Sequence, residues 1–97
     1  MDVTVKRQPE QLLYELLDDQ GERIGKIDYR ERSGVITMWH TEVDKAHQGE
    51  GLAAILVAAA LDDARERRLT VKPTCPYIAR YIERHPDYAD LLQGGSA

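Results

Sequence analysis

The stretch Gln48-Gly49-Glu50-Gly51-Leu52-Ala53-Ala54-Ile55-Leu56-Val57-Ala58-Ala59-Ala60-Leu61 decides the fold. From Leu52 on it is too long and too alanine-rich for a strand, and it reads as a helix that is apolar on nearly every side. Asp62 to Arg68 continue it in polar residues, which predicts a helix buried at its start and wet at its end. Before the glycines the pattern alternates. Leu12, Tyr14 and Leu16 share one face of a strand, and Ile27 and Tyr29 oppose Lys26, Asp28 and Arg30 in a second. A third, Val35 to Val43, puts Ile36, Met38, His40 and Glu42 on one side, with Val35, Thr37, Trp39, Thr41 and Val43 on the other. Gln20-Gly21 and Arg32-Ser33-Gly34 supply turns short enough to join antiparallel neighbours. After the helix, Leu69 to Lys72 reads as a short strand cut off by Pro73 and Pro76. Tyr77 to Arg84 fits a second helix stopped by His85-Pro86, and Asp87 to Leu92 one more turn. The expected class is α+β: an antiparallel or mixed sheet with one buried crossover helix and a C-terminal helix.

A chain of 97 residues holds one hydrophobic core, so a single domain is expected over residues 1–93, with Gly94-Gly95-Ser96-Ala97 as a frayed tail. The first fifty residues carry seven Lys/Arg against eleven Asp/Glu and the rest six against six, giving the net charge of −4. That balance lacks the electrostatic footprint of a nucleic-acid partner. Arg65-Glu66-Arg67-Arg68, the densest basic run, reads as a solvated helix end. The apolar run Leu52–Leu61 is too short to span a bilayer, and Met1 to Arg7 lack the pattern of a secretory leader. One cysteine makes neither an internal disulfide nor a thiolate zinc site, and three widely spaced histidines make no metal site. A reducing, cytoplasmic setting with no membrane partner is the expectation.

Glycines at a helix start expose unpaired backbone amides and form a natural cradle for phosphate oxygens. A tight strand-to-helix turn is the plainer account of the same residues. Walker-type loops need Lys-Ser/Thr where this chain has Leu52-Ala53. Gly49-x-Gly51-x-x-Ala54 matches the dinucleotide pattern, but antiparallel strands precede it and no acidic ribose contact follows at the required spacing.

A third pattern, Gln/Arg-x-x-Gly-x-Gly/Ala, is met by Gln48-x-x-Gly51-x-Ala53. With His40-Thr41-Glu42-Val43 before it, Leu56-Val57 and Ala60-Leu61 after it, and then Pro73-x-Cys75-Pro76-Tyr77, Tyr81 and His85-Pro86, almost the whole chain resembles the small GNAT-type N-acetyltransferases. More narrowly, it is similar to their minimal, Yjdj-like branch. The resemblance implies acetyl-coenzyme A (acetyl-CoA) as donor and an amine as acceptor. It gives the diphosphate to Gln48, Gly49, Gly51, Leu52 and Ala53 and the main chain of Glu50, whose side chain should point outward. Glu42 and Val43 then pair with the pantetheine arm. The first strands leave no room for the helices that usually build the acceptor pocket, so an open site suited to a protein lysine is implied. A non-catalytic module that binds or senses acyl-CoA is the alternative.

Moving acetyl to an amine needs a base, since deprotonating a lysine-like ammonium at pH 7 costs about 4.6 kcal/mol. His40, beside Glu42, is one candidate, with the carboxylate orienting its ring; Glu42 acting through water is another. An unpaired strand amide near Val43 offers a donor for the carbonyl oxygen. Cys75, with Pro76 at the next helix start, is either a thiolate nucleophile, a partner in direct transfer or a buried inert thiol. Tyr77 or Tyr81 is a general acid by resemblance, or a packing residue. His47 and His85 read as surface or cap residues.

Overall fold

The alternating half of the chain folds as four antiparallel strands in sequence order: β1 (Thr4–Gln8), β2 (Leu13–Leu17), β3 (Arg23–Arg32) and β4 (Val35–Val43). The computed structural model describes residues 2–93, so the tail expected at 94–97 lies outside the described residues. A 3-10 turn (Lys45–His47) and the glycine loop lead into α1 (Leu52–Glu66), which carries the chain across the sheet to β5 (Thr70–Pro73). β5 lies parallel to β4 at the sheet edge, and α2 (Pro76–Arg84) and a closing 3-10 stretch (Pro86–Gln93) follow. This is the expected α+β class, with a mixed sheet in the order β1-β2-β3-β4-β5.

β1 has only Val5 as an apolar residue, so its strand state comes from pairing with β2 rather than from its own pattern. Leu12 departs from the expected face. It sits in the β1–β2 turn with φ +58° and is exposed, leaving Tyr14 and Leu16 to point inward. Ser33 and Gly34, with φ +51° and +80°, form the two-residue hairpin that pairs Arg32 with Val35.

The row Arg7, Tyr14, Ile27 and Thr41 crosses four strands on the face that both helices cover. α1 lays Leu56, Val57, Ala60, Leu61 and Ala64 on it, and α2 adds Ile78 and Ile82, all within one core cluster. Fully burying a leucine such as Leu56 or Leu61 contributes about 1.5–3 kcal/mol. α1 is buried along a stripe that runs to Ala64, while Ile55 near its start is exposed, because the helix lies flat on the sheet rather than pointing into it. Its basic end is more than solvated. Arg65 grips Asp90 at 2.6 and 2.9 Å, which holds that carboxyl below the usual carboxylate range, and Arg67 grips Glu31 at 2.6 and 2.8 Å.

Tyr14 joins the sheet to the far end of α1. Its hydroxyl donates to Asp63 Oδ2 at 2.7 Å, and burial, reinforced by that carboxylate, pushes its pKa upward. Tyr14→Phe is expected to lower the unfolding free energy by about 1–1.5 kcal/mol in urea titrations, since Asp63 loses its one close hydroxyl donor.

Candidate active site

β4 carries one residue too many for its partner. Met38 pairs with Tyr29 and His40 with Asp28, so Trp39 is a β-bulge. Beyond it Thr41 and Val43 pair with Ile27 and Gly25 on the helix-covered face, and His40 and Glu42 pair with Asp28 and Lys26 on the other. The expected parity therefore breaks at Trp39: Ile36 and Met38 do not share a side with His40 and Glu42. Alternation within one strand cannot register an inserted residue, because the insertion shows only against the partner strand.

β5 accompanies β4 only from Val35 to Met38. Pro73, opposite Met38, has no amide hydrogen to continue the ladder; the Cys75 amide donates to the Met38 carbonyl at 3.1 Å, and the chain turns away as α2. From Trp39 to Val43, β4 thus has a free edge. The Asp44 amide donates to the Ile24 carbonyl at 2.8 Å, so alternation turns the main-chain groups of Thr41 and Val43 towards that edge. Gln48 Nε2 closes its upper end by donating to the Val43 carbonyl at 3.0 Å.

The glycine loop sits across this edge. Gly49 and Gly51 have φ of +84° and +74°, a region other residues adopt only under strain, and Gly51 is the N-cap of α1. Apart from the bond from the Ile55 amide to the Gly51 carbonyl, the helix start is unsatisfied: among the described residues no protein acceptor takes the amides of residues 49 to 53. A cavity of about 250 Å³ opens there, lined by Val43, His47, Gln48, Gly49, Gly51, Leu52, Ala53 and Tyr77. It adjoins a second of about 330 Å³, which adds Thr41 and Glu42. Glu50 lines neither, and its carboxylate lies 3.8 Å from His47 Nδ1. His47 is a loop-cavity residue rather than a surface or cap residue, and its Nδ1 is buried with no hydrogen-bond partner.

His40 Nε2 lies 2.9 Å from Glu42 Oε1. A carboxylate only accepts, so Nε2 carries the proton and Nδ1 stays open to receive one. The Trp39 ring stands 5.9 Å from the imidazole. Cys75 is the N-cap of α2, buried, with Sγ donating to Thr41 Oγ1 at 3.4 Å. Tyr77 is exposed and lines both cavities. Tyr81 stacks on His85 at 3.9 Å, and burial pushes its hydroxyl pKa up. His85 caps α2, donating from Nδ1 to the Tyr81 carbonyl at 2.8 Å.

Sequence reasoning left Thr41, Arg80 and Arg84 without a role. Arg80 and Arg84 share a helix face with Tyr77 and Tyr81, and with Ala54 and His85 these four line a third cavity of about 220 Å³ beside the loop. Their spacing of three and four residues was readable as one stripe. Among the described residues, no group of three His, Cys, Asp or Glu is placed to hold a metal, and no helix is long and apolar enough to cross a membrane.

Protein NATD1 from mouse is 39% identical over 61 residues, and the human protein is 39% identical over a stretch of the same length. The match takes in 61% of this chain and 56% of the mouse protein, so the chain spans about half the length of the curated relatives it matches. Among solved structures, a GCN5-like protein from Staphylococcus aureus is 25% identical, with a TM-score of 0.66 over 91% of this chain and 85% of that one. The GNAT family N-acetyltransferase YhbS from Escherichia coli, solved in complex with CoA, is 29% identical over 61% of this chain and 37% of its own, with a TM-score of 0.55. Residues 13–91 match the profile of the GCN5-related N-acetyl-transferases, and the chain belongs to that family.

Proposed function

We propose that residues 1–93 act as one catalytic domain, an acetyl-CoA-dependent N-acetyltransferase working on the amine of a polypeptide acceptor. The observation that carries this reading is the row of unpaired amides at residues 49 to 53, continuous with the free edge of β4. Such a cradle fits a diphosphate, and a strand edge fits the amide-bearing arm attached to it. Arg80 and Arg84, in the adjoining cavity, fit the remaining phosphate of the carrier. The CoA complex of YhbS supports the same ligand class.

When bound, the carrier supplies an acetyl group activated as a thioester. The chain's own residues then manage protons and charge. His40, oriented by Glu42, takes a proton from the acceptor ammonium on Nδ1. The amide of Val43 or Thr41 faces the carbonyl oxygen as it gains charge. The C–N bond forms as the C–S bond breaks. Tyr77 supplies the proton that makes the departing sulfur a thiol, and is restored by the second proton the amine gives up. Cys75, buried and with its thiol committed to Thr41, is a positioning residue, so transfer is direct.

Calorimetry with acetyl-CoA, alongside free-thiol release across a panel of amines, tests the reading. Tight binding with no amine-dependent thiol release would make the chain a coenzyme-binding module instead. CoA is expected to bind about tenfold tighter than its 3′-dephospho form, the scale of one charge-assisted contact. Arg80→Ala/Arg84→Ala should erase that difference.

A further inference from the structure

Three cations stand together on the face of the sheet that no helix covers. The strand register sets Arg30, Thr37 and Lys72 side by side across β3, β4 and β5, with Arg32 and Val35 in the next row. They line an open cavity of about 300 Å³. Among the described residues, Arg30, Arg32 and Lys72 make no ion pair. Glu31, the carboxylate on that cavity, is held by both oxygens on Arg67. The concentration is local, since the chain as a whole carries a net charge of −4.

The patch leads to the candidate base. The Arg30 guanidinium lies 6.0 Å above the Trp39 ring, and on from Trp39 along β4 stand His40 and Glu42, on the same helix-free face. A segment laid along β4 would meet the cations, then the indole, then the imidazole.

We propose that this face receives the acceptor, and that the acceptor is a polypeptide whose reacting amine lies close to acidic residues. The inference rests on the acetyl-transfer reading and names its substrate class. Carboxylates over the Arg30, Thr37 and Lys72 row would neutralise otherwise unpaired charge while the amine sits at His40. Thr37 and His40 are three residues apart with a bulge between them, about 7–10 Å at roughly 3.3 Å per residue. An extended acceptor therefore carries its acidic side chain two to four positions from the amine. A nucleic acid would also meet these cations, but the net negative charge of the rest of the chain opposes a long phosphate backbone.

Trp39 is the only tryptophan, so its fluorescence reports the patch directly. Three lysine peptides, identical except for acidic, neutral or basic flanks, are titrated against the intact protein, and free-thiol release with acetyl-CoA is followed for each. The acidic peptide is expected to bind about tenfold tighter than the neutral one, as three surface pairs allow, and to be the preferred acceptor. Arg30→Glu/Lys72→Glu, at exposed positions and checked for fold by circular dichroism, should reverse the preference towards the basic peptide; Arg30→Lys should keep it. Equal binding of the three peptides, or displacement of the acidic one by a single-stranded oligonucleotide at lower concentration, overturns the proposal. Thiol release with no acidic preference overturns it while leaving acetyl transfer standing. Acidic-peptide binding without thiol release from any peptide supports the docking surface and removes the transferase reading.

Discussion

His40→Ala is expected to slow amine acetylation about 100-fold at pH 7, the lower end of what a positioned base contributes. The residual rate should climb about tenfold per pH unit, because the amine must then lose its proton unaided. At pH 7 that loss costs about 4.6 kcal/mol for a lysine-like amine, and the penalty shrinks by about 1.36 kcal/mol with each unit. A 100-fold deficit is made up in about two units, so wild type and variant should converge at about pH 9, below the amine pKa. His40 lines neither cavity at the loop, so acetyl-CoA affinity measured by calorimetry should stay within about twofold. Glu42→Gln keeps the imidazole and an oxygen that can accept from it, but removes the negative charge 2.9 Å from Nε2, and a smaller loss, about tenfold, is expected. A His40→Ala profile that runs parallel to wild type across the pH range would show that the imidazole moves no proton in the slow step.

Gly51→Ala is expected to weaken acetyl-CoA binding at least 30-fold, equivalent to about 2 kcal/mol, while the protein stays folded. Two effects separate cleanly here. A side chain at φ +74° costs about 1–2 kcal/mol of backbone strain, which appears in stability. The added Cβ meets no protein atom within 4 Å and projects into open space, so it does no further harm to the empty fold. Bound phosphate is what it would obstruct. Gly34→Ala is the control, because Gly34 has φ +80° and equally open surroundings but lies in the β3–β4 hairpin. Both variants should lose similar stability by thermal melt, and only Gly51→Ala should lose the carrier. Equal affinity in the two variants would mean that the amides at residues 49 to 53 do not hold the diphosphate.

The parts of this molecule that were legible in its sequence are those set by neighbours along the chain. The alanine-rich run had to be a helix, Ser33-Gly34 had to turn, and glycines ahead of Leu52 had to leave amides bare. The resemblance then assigned a ligand class to that loop, which local chemistry alone left beside a plain turn. What escaped depends on residues far apart in sequence. The bulge at Trp39 is visible only against Tyr29 and Asp28, so the side on which His40 lies could not be read from β4 alone. Likewise the row of Arg30, Thr37 and Lys72 exists only in the register of three strands. Arg65 and Arg67 looked solvated because Asp90 and Glu31, their partners, lie far along the chain.

Beyond the surplus residue at Trp39, β4 cannot change its length by one without exchanging its two faces. Deleting one residue between Trp39 and the glycine loop, or inserting one, would transpose every later side chain on the strand, carrying Glu42 under the helices and Val43 into water. Changing the length by two would leave the faces as they are. Removing Trp39 itself is the exception: it would restore regular pairing with Tyr29 and Asp28 and leave His40 and Glu42 where they are.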